Sequence, residues 1–432
     1  MGSAAAAADT RIRRRAHSKR VARFMTVPFQ LCVQAETVRR PSAAGGPLSS
    51  TISYYPTASG VGKEFRISTK ELEPIATRWD ISRVMGPVRI GIVGFGRIGA
   101  EHAGWIASAS GARAVAAADP TAARRQLASD RGLRATAAIE SMLEDPSLEA
   151  VLVASPTSMH FQHARQALEA DRHVMVEKPL AMSLAEARWL TAEAARRNRV
   201  LAVFHNRRWD MDYLTVEQAV RAGVFGRLIS VESRLGQFDS CVGPAAREYR
   251  PNWRNEAAFG GGGLLDWGSH FLDQMWRLML PARPLRLFAQ LRGNVWTSDA
   301  DDFARVVIDF DNGACGLVEI NTTCARPLPR WHIDGALGSA DSPSSPQFDV
   351  GTWAKLEFTP AEGGEPRPLP PAPPGLTEAG IWERFASAVR GEGEAAATAE
   401  SALPTMALLD AARESSREGR AVGLTNKIDF KP

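Results

Sequence analysis

Cysteine is scarce in this chain: four in 432 residues, at Cys32, Cys241, Cys315 and Cys324, with no C-x-x-C pair. That excludes a disulfide-stapled scaffold and fits a reducing, cytoplasmic setting. Long apolar runs are missing as well. Segments such as Val151 to Ala154 and Ala114 to Ala118 fall well short of the roughly 20 residues a membrane helix needs, so no membrane partner is expected. No internal repeat is found. An excess of positive charge is absent from the body of the chain: residues 1–85 hold 14 Lys or Arg against 6 Asp or Glu, and residues 86–432 hold 38 against 42. The body therefore carries a balance of −4, which gives no sign of a basic face for nucleic acid.

The first 85 residues also lack a sustained amphipathic period. An alanine run, the cluster Arg11 to Arg15 and a Ser-, Pro- and Gly-rich stretch around Pro41 to Ser50 read as a disordered basic extension. The cluster has the composition of a nucleic-acid or membrane-surface tail, or of part of a targeting peptide, but no apolar stretch of about 7–15 residues follows it to make a secretory signal. The reading adopted is a solvated extension or an upstream start, with Met85 standing where a compact chain would begin. A short helix over Ser68 to Ser82 stays open.

What is present begins at Val88. Val-Arg-Ile-Gly-Ile-Val runs into Gly94-Phe95-Gly96-Arg97-Ile98-Gly99, and a second apolar strand ends in Asp119. This is a dinucleotide fingerprint: Gly94 permits the tight turn, Gly96 lets backbone approach a pyrophosphate, and Gly99 lets the next helix pack closely on the strand. The helix N-terminus would face the phosphates. A carboxylate at Asp119 would accept hydrogen bonds from ribose hydroxyls and repel a 2′-phosphate, which favours NAD over NADP. From residue 86 to 205, strand and helix signals alternate, predicting an α/β domain with a doubly wound parallel sheet.

From residue 206 to 432, longer strands with period-2 alternation take over, such as Leu228 to Leu235 and Arg305 to Phe310. Asp311-Asn312-Gly313 is a hairpin turn. The prediction is an α+β domain whose open, mostly antiparallel sheet is covered on one face by helices, among them Leu264 to Leu280. The Pro-rich stretch Asp341 to Gly375 carries weak strand signals near Phe348 to Phe358 and otherwise reads as a surface excursion.

The strand His173 to Val176 ends in Glu177-Lys178-Pro179, placing a carboxylate and an amine in the crevice where ligands bind, with a proline that can take a cis bond. Further on, Gly260 to Gly263 lead into Asp266 and His270, spaced i and i+4, with Asp273 continuing the stripe. A histidine, a carboxylate and a lysine make a proton-transfer set suited to oxidising an alcohol. The same Asp and His residues have the ligand chemistry for a metal, but nothing compels one when a cofactor accepts the hydride, and none is expected.

These features together resemble the Gfo/Idh/MocA group, which includes glucose-fructose oxidoreductase and inositol dehydrogenases. The resemblance covers residues 87 to about 424 and rests on the fingerprint, Asp119, Ser155-Pro156-Thr157 with His160, Glu177-Lys178-Pro179, His205-Asn206-Arg207-Arg208-Trp209, Trp253-Arg254, Asp266 to His270 and Glu418 to Val422. The segment 204–212 is most similar to the scyllo-inositol dehydrogenase branch, in which NADP can be the cofactor. The resemblance implies an oxidoreductase moving a hydride from a secondary alcohol of a cyclitol, sugar or sugar derivative to NAD. In it Lys178 would hydrogen-bond the reacting oxygen, His270 would take the hydroxyl proton and Asp266 would orient His270. Glu177 would hold the nicotinamide ribose, Pro156 and Thr157 would border the ring, and Trp253 and Arg254 would neighbour cofactor or substrate. Arg207, Gln237 and Asp239 are further candidate contacts. A homodimer or homotetramer built on the open sheet is implied too. Two other activities remain open: an NAD-dependent glycosidase of the same fold and a non-catalytic nucleotide-sensing regulator.

Overall fold

The structure, a computed structural model, describes residues 86–239, 253–293, 295–345, 348–425 and 430. The expectations for residues 1–85, including the Ser68 to Ser82 helix and the Met85 start, lie outside the described residues, as does Cys241.

Val88–Val93 (β1) is almost wholly buried, as a strand covered on both faces must be. It heads a parallel sheet with Ala112–Ala118 (β2), Arg134–Thr136 (β3), Ala150–Val153 (β4), His173–Val176 (β5) and Leu201–Val203 (β6), in the order β3-β2-β1-β4-β5-β6. That is the doubly wound dinucleotide order, with its switch point between β1 and β4. Helices Arg97–Ser108 (α1), Ala122–Asp130 (α2), Ile139–Leu143 (α3), His160–Glu169 (α4) and Leu184–Arg196 (α5) make the crossovers. Of these five, α5 alone has a side-chain N-cap, where Ser183 accepts from the Glu186 N–H. The three-residue strand β3 is too short to leave a period in the sequence.

Past β6, Met211–Arg221 (α6) leads into a nine-stranded sheet. Its strands are Leu228–Gly236 (β7), Pro284–Arg292 (β8), Phe303–Phe310 (β9), Cys315–Asn321 (β10), Trp331–Gly335 (β11), Gly338–Asp341 (β12), Glu357–Pro360 (β13), Arg367–Pro368 (β14) and Val422–Gly423 (β15). The order is β14-β13-β12-β11-β7-β10-β9-β8-β15, and only β7 with β10 is parallel. Gly313, with φ of 82°, closes the expected turn between β9 and β10. Ser269–Leu278 (α7) and the long Ala399–Glu418 (α10) cover one face. Phe288, exposed between buried Leu287 and Ala289 on β8, lies on the other face.

The Pro-rich stretch departs from its expectation. It holds β13 and β14, a short helix Val350–Trp353 (α8), and buried Trp353, Leu356, Phe358 and Leu369. Pro360 closes β13 and Pro368 closes the edge strand β14, where a missing N–H costs no ladder bond. Glu378–Val389 (α9) then returns to the first sheet, burying Ile381, Trp382 and Phe385 with Ile90, Ile106 and Phe204 in one cluster. Val203 donates its N–H to the Ala397 carbonyl at 2.9 Å, so the late chain also covers the open edge of β6. Among the described residues, no helix is long and apolar enough to cross a membrane.

Candidate active site

The glycine loop sits at the switch point. Gly94 has φ of 87°, and a Cβ there would lie 2.7 Å from the Ala154 carbonyl oxygen. The Phe95 N–H donates to Asp119 Oδ2 and the Thr121 N–H to Oδ1, each at 2.8 Å, so the acid at the end of β2 also ties down the loop. Arg124 Nη1 lies 3.7 Å from Asp119 Oδ2. Beside the loop opens a cleft of about 480 Å³ whose lining includes Gly96, Arg97, Ile98, Asp119, Ser155, Pro156, Trp253 and Arg254. A Cβ added at Gly96 would meet nothing closer than Arg124 Nη1 at 3.7 Å. The backbone is therefore bare toward the cleft, as a pyrophosphate approaching the start of α1 requires, and the residues present fit a dinucleotide.

Ser155, Pro156 and Thr157 form the facing rim after β4. His160 braces that rim from behind: its Nδ1 lies 2.8 Å from the Pro179 carbonyl oxygen and its Nε2 3.0 Å from that of Ser155. Burial depresses its pKa. The Lys178–Pro179 bond is cis.

Glu177, Lys178, Thr157, Arg254 and Asp266 line a second, small cleft continuous in its lining residues with the first. Lys178 Nζ donates to Asp266 Oδ1 at 2.6 Å and to the Asp266 carbonyl oxygen at 3.1 Å. An ammonium has three hydrogens, so one remains for another acceptor. Arg254 Nε is 3.8 Å from Asp266 Oδ2, and its guanidinium lies over the Trp253 ring, 4.4 Å from the centroid. Burial pushes the Asp266 carboxyl up, but the Lys178 and Arg254 charges outweigh it and hold the group below its usual range.

Asp266 does not touch His270. The sequence spacing assumed a regular α-helix, whereas Leu264–Gly268 forms a π turn before α7 begins, and Asp266 pairs with Lys178 just past β5. Such turns recur at functional sites. His270 is buried beside His205, their ring centroids 6.0 Å apart, and among the described residues its Nδ1 has no hydrogen-bond partner. Burial first, then the Lys178 and Arg207 charges, drive its pKa well below the ordinary value, so the ring is neutral. Asp273 is committed elsewhere, in a two-pronged ion pair with Arg208 at 2.7 and 2.8 Å. Arg207 lies outside both cleft linings, over the Phe348 ring at 4.0 Å and bonded to Asp210 at 3.4 Å. Gln237 and Asp239 follow β7 and line neither cleft. No group of His, Cys, Asp and Glu suited to holding a metal occurs among the described residues.

Two residues in contact with this site went unnoticed in the sequence. His102, on α1, bonds Glu177 at 2.8 Å, and Trp382, on α9, bonds His102 at 3.1 Å. A histidine three residues past Gly99 was the available signal for the first.

The sheet order and the glycine loop define an NAD-binding Rossmann domain carrying a second, mixed-sheet domain. Residues 88–205 match the oxidoreductase family with an NAD-binding Rossmann fold, and residues 213–341 match the GFO/IDH/MocA C-terminal domain. The chain belongs to the Gfo/Idh/MocA family. It is similar to the scyllo-inositol 2-dehydrogenase (NADP+) IolW of Bacillus subtilis, at 24% identity over 66% of this chain and 82% of that one. It is also similar to the myo-inositol 2-dehydrogenase of Thermotoga maritima, at 29% identity over 54% of this chain and 68% of that one. Among solved structures, an NAD-binding protein from Listeria innocua superposes with a TM-score of 0.70 at 28% identity, over 78% of this chain and 97% of that one.

Proposed function

We propose that this chain is an NAD-dependent dehydrogenase acting on a secondary alcohol of a cyclitol, sugar or sugar derivative. The observation that carries the proposal is the Lys178 ammonium, fixed by Asp266 at 2.6 Å with one hydrogen unspent, together with the buried His270, whose pKa burial and the Lys178 charge depress. Bound nicotinamide supplies the hydride acceptor. Lys178 donates to the alcohol oxygen and steadies the alkoxide charge that develops there. His270 takes the hydroxyl proton, for which a neutral ring is required. Asp266 aims Lys178, in place of the orienting role toward His270 that the resemblance implied. Glu177 would hold the nicotinamide ribose, Pro156 and Thr157 would border the ring, and Trp253 and Arg254, which line the cleft, would neighbour cofactor or substrate. The polyol class is supported by the inositol dehydrogenases among the similar proteins.

The test is NADH formation across a panel of inositols, aldoses and sugar acids, with NAD and NADP in parallel and Lys178→Ala as control. Turnover with NAD that the variant abolishes is the expected result. NADH binding with no turnover on any compound refutes the proposal. We further propose a cytoplasmic homodimer or homotetramer associating through the open sheet face around Phe288, which light scattering of the purified chain would check.

A further inference from the structure

His102 is completely buried on α1, boxed edge-on by Trp105, Phe204 and Trp382 at ring-centroid separations of 4.8, 4.4 and 5.6 Å. Its two ring nitrogens have different partners. Trp382 Nε1 lies 3.1 Å from Nδ1, and an indole N–H can only donate. Nδ1 must therefore accept, which leaves the single proton of the neutral ring on Nε2. From there it is donated to Glu177 Oε1, 2.8 Å away. The other carboxylate oxygen, Oε2, accepts the Lys178 backbone N–H at 3.1 Å. Both oxygens are thus fixed by donors from behind, and a second proton on His102 would set two N–H groups against each other.

Trp382 is itself pinned. On the same helix α9, Glu383 Oε1 accepts both the backbone N–H and the hydroxyl of Ser110, each at 2.9 Å. Just past the helix, Arg390 Nη1 donates to Glu149 Oε1 at 2.6 Å. The chain between β14 and β15 thereby reaches a side chain of the nucleotide site.

We propose that Trp382 and His102 are positioning residues, a two-step hydrogen-bond relay that fixes the Glu177 carboxylate where the nicotinamide ribose docks. The proposal rests on the ribose role assigned to Glu177 above. Trp382 sets the His102 tautomer, and His102 sets the carboxylate. Neither touches the cofactor.

Four variants of the full chain test this. Glu177→Gln and His102→Leu should each weaken NADH binding about tenfold, the scale of one lost hydrogen bond to a charged group, with the KM for the alcohol little changed. His102→Gln keeps one acceptor for Trp382 and one donor for Glu177 and should recover most of that loss. Nitrogen NMR of labelled histidine in the NADH complex should show the His102 proton on Nε2 with Nδ1 accepting, whereas in Trp382→Phe, where Nδ1 has lost its donor, that fixed tautomer should be lost. If Glu177→Gln binds NADH normally, the ribose role falls and the relay with it. If Glu177→Gln weakens binding while a folded His102→Leu does not, the relay alone is overturned. A wild-type His102 that is charged, or protonated on Nδ1, overturns it as well.

Discussion

Replacing Gly99 with alanine is expected to cost the protein its grip on NADH. A Cβ at this position would lie 2.0 Å from the Gly94 carbonyl oxygen, about 1.4 Å short of ordinary contact at 3.4 Å. The obstacle is backbone, so no rotamer change relieves it, and α1 must move off β1 by about 1 Å or the turn at Gly94 must open. Overpacking of this kind costs about 1–3 kcal/mol of stability. The larger effect falls on binding, because the amides at the start of α1 move away from the pyrophosphate. Misplacement by about 1 Å commonly costs about 100-fold, so the NADH Kd measured by fluorescence titration should rise by that order. Gly104→Ala on the same helix is the control. Gly104 is exposed and a Cβ there meets nothing within 4 Å, so that variant should be stabilised by about 0.5–1 kcal/mol through helix propensity and bind NADH normally. A Gly99→Ala protein with wild-type affinity and melting temperature would refute the close packing of α1 on the fingerprint.

Lys178→Met should lower kcat by about 100- to 10,000-fold with NADH affinity retained, read by steady-state and binding assays side by side. Asp119→Ser should lower the ratio of kcat/KM for NAD to that for NADP by at least about tenfold, because the repelling charge goes while Arg124 stays 3.7 Å from that position. Asp301 sits under Gly262 and Gly263, and burial pushes its carboxyl from 3.8 up to about 7. Since the folded pKa is the higher one, the folded chain keeps a proton that the unfolded chain releases, and stability declines as pH rises from about 4 to about 7. Asp301→Asn should flatten that decline, as read from urea midpoints across the range.

The first sheet was legible because its signals are local. Buried strands read as apolar runs, and the turn at Gly94 to Gly99 needs glycine for reasons of sterics that one segment contains. Lys178 could be read into the crevice because it follows the end of a strand of the first sheet. The pairing of Asp266 with Lys178 rather than His270 was not legible, since residue types do not distinguish a π turn from an α-helix over Leu264–Gly268. Trp382 and His102 are 280 residues apart, and nothing in either neighbourhood announces the other. Arg330 is a similar case. It is buried over the Phe271 ring with Gln274 and Ser233 as partners, where the sequence offers only an arginine before a tryptophan. The Pro-rich stretch misled because edge prolines and loop prolines look alike until the strands they border are in place.

The return of the late chain onto the first sheet has a consequence for synthesis. Val203 waits for Ala397, and the box around His102 waits for Trp382. At about 5–20 residues per second, the 194 residues between Val203 and Ala397 take roughly 10–40 s to emerge from a ribosome. Throughout that interval β6 is an uncovered strand edge, the kind of surface that recruits other chains. The nascent protein therefore depends on shelter, from the ribosome surface or a chaperone, for longer than the order of its two sheets would suggest.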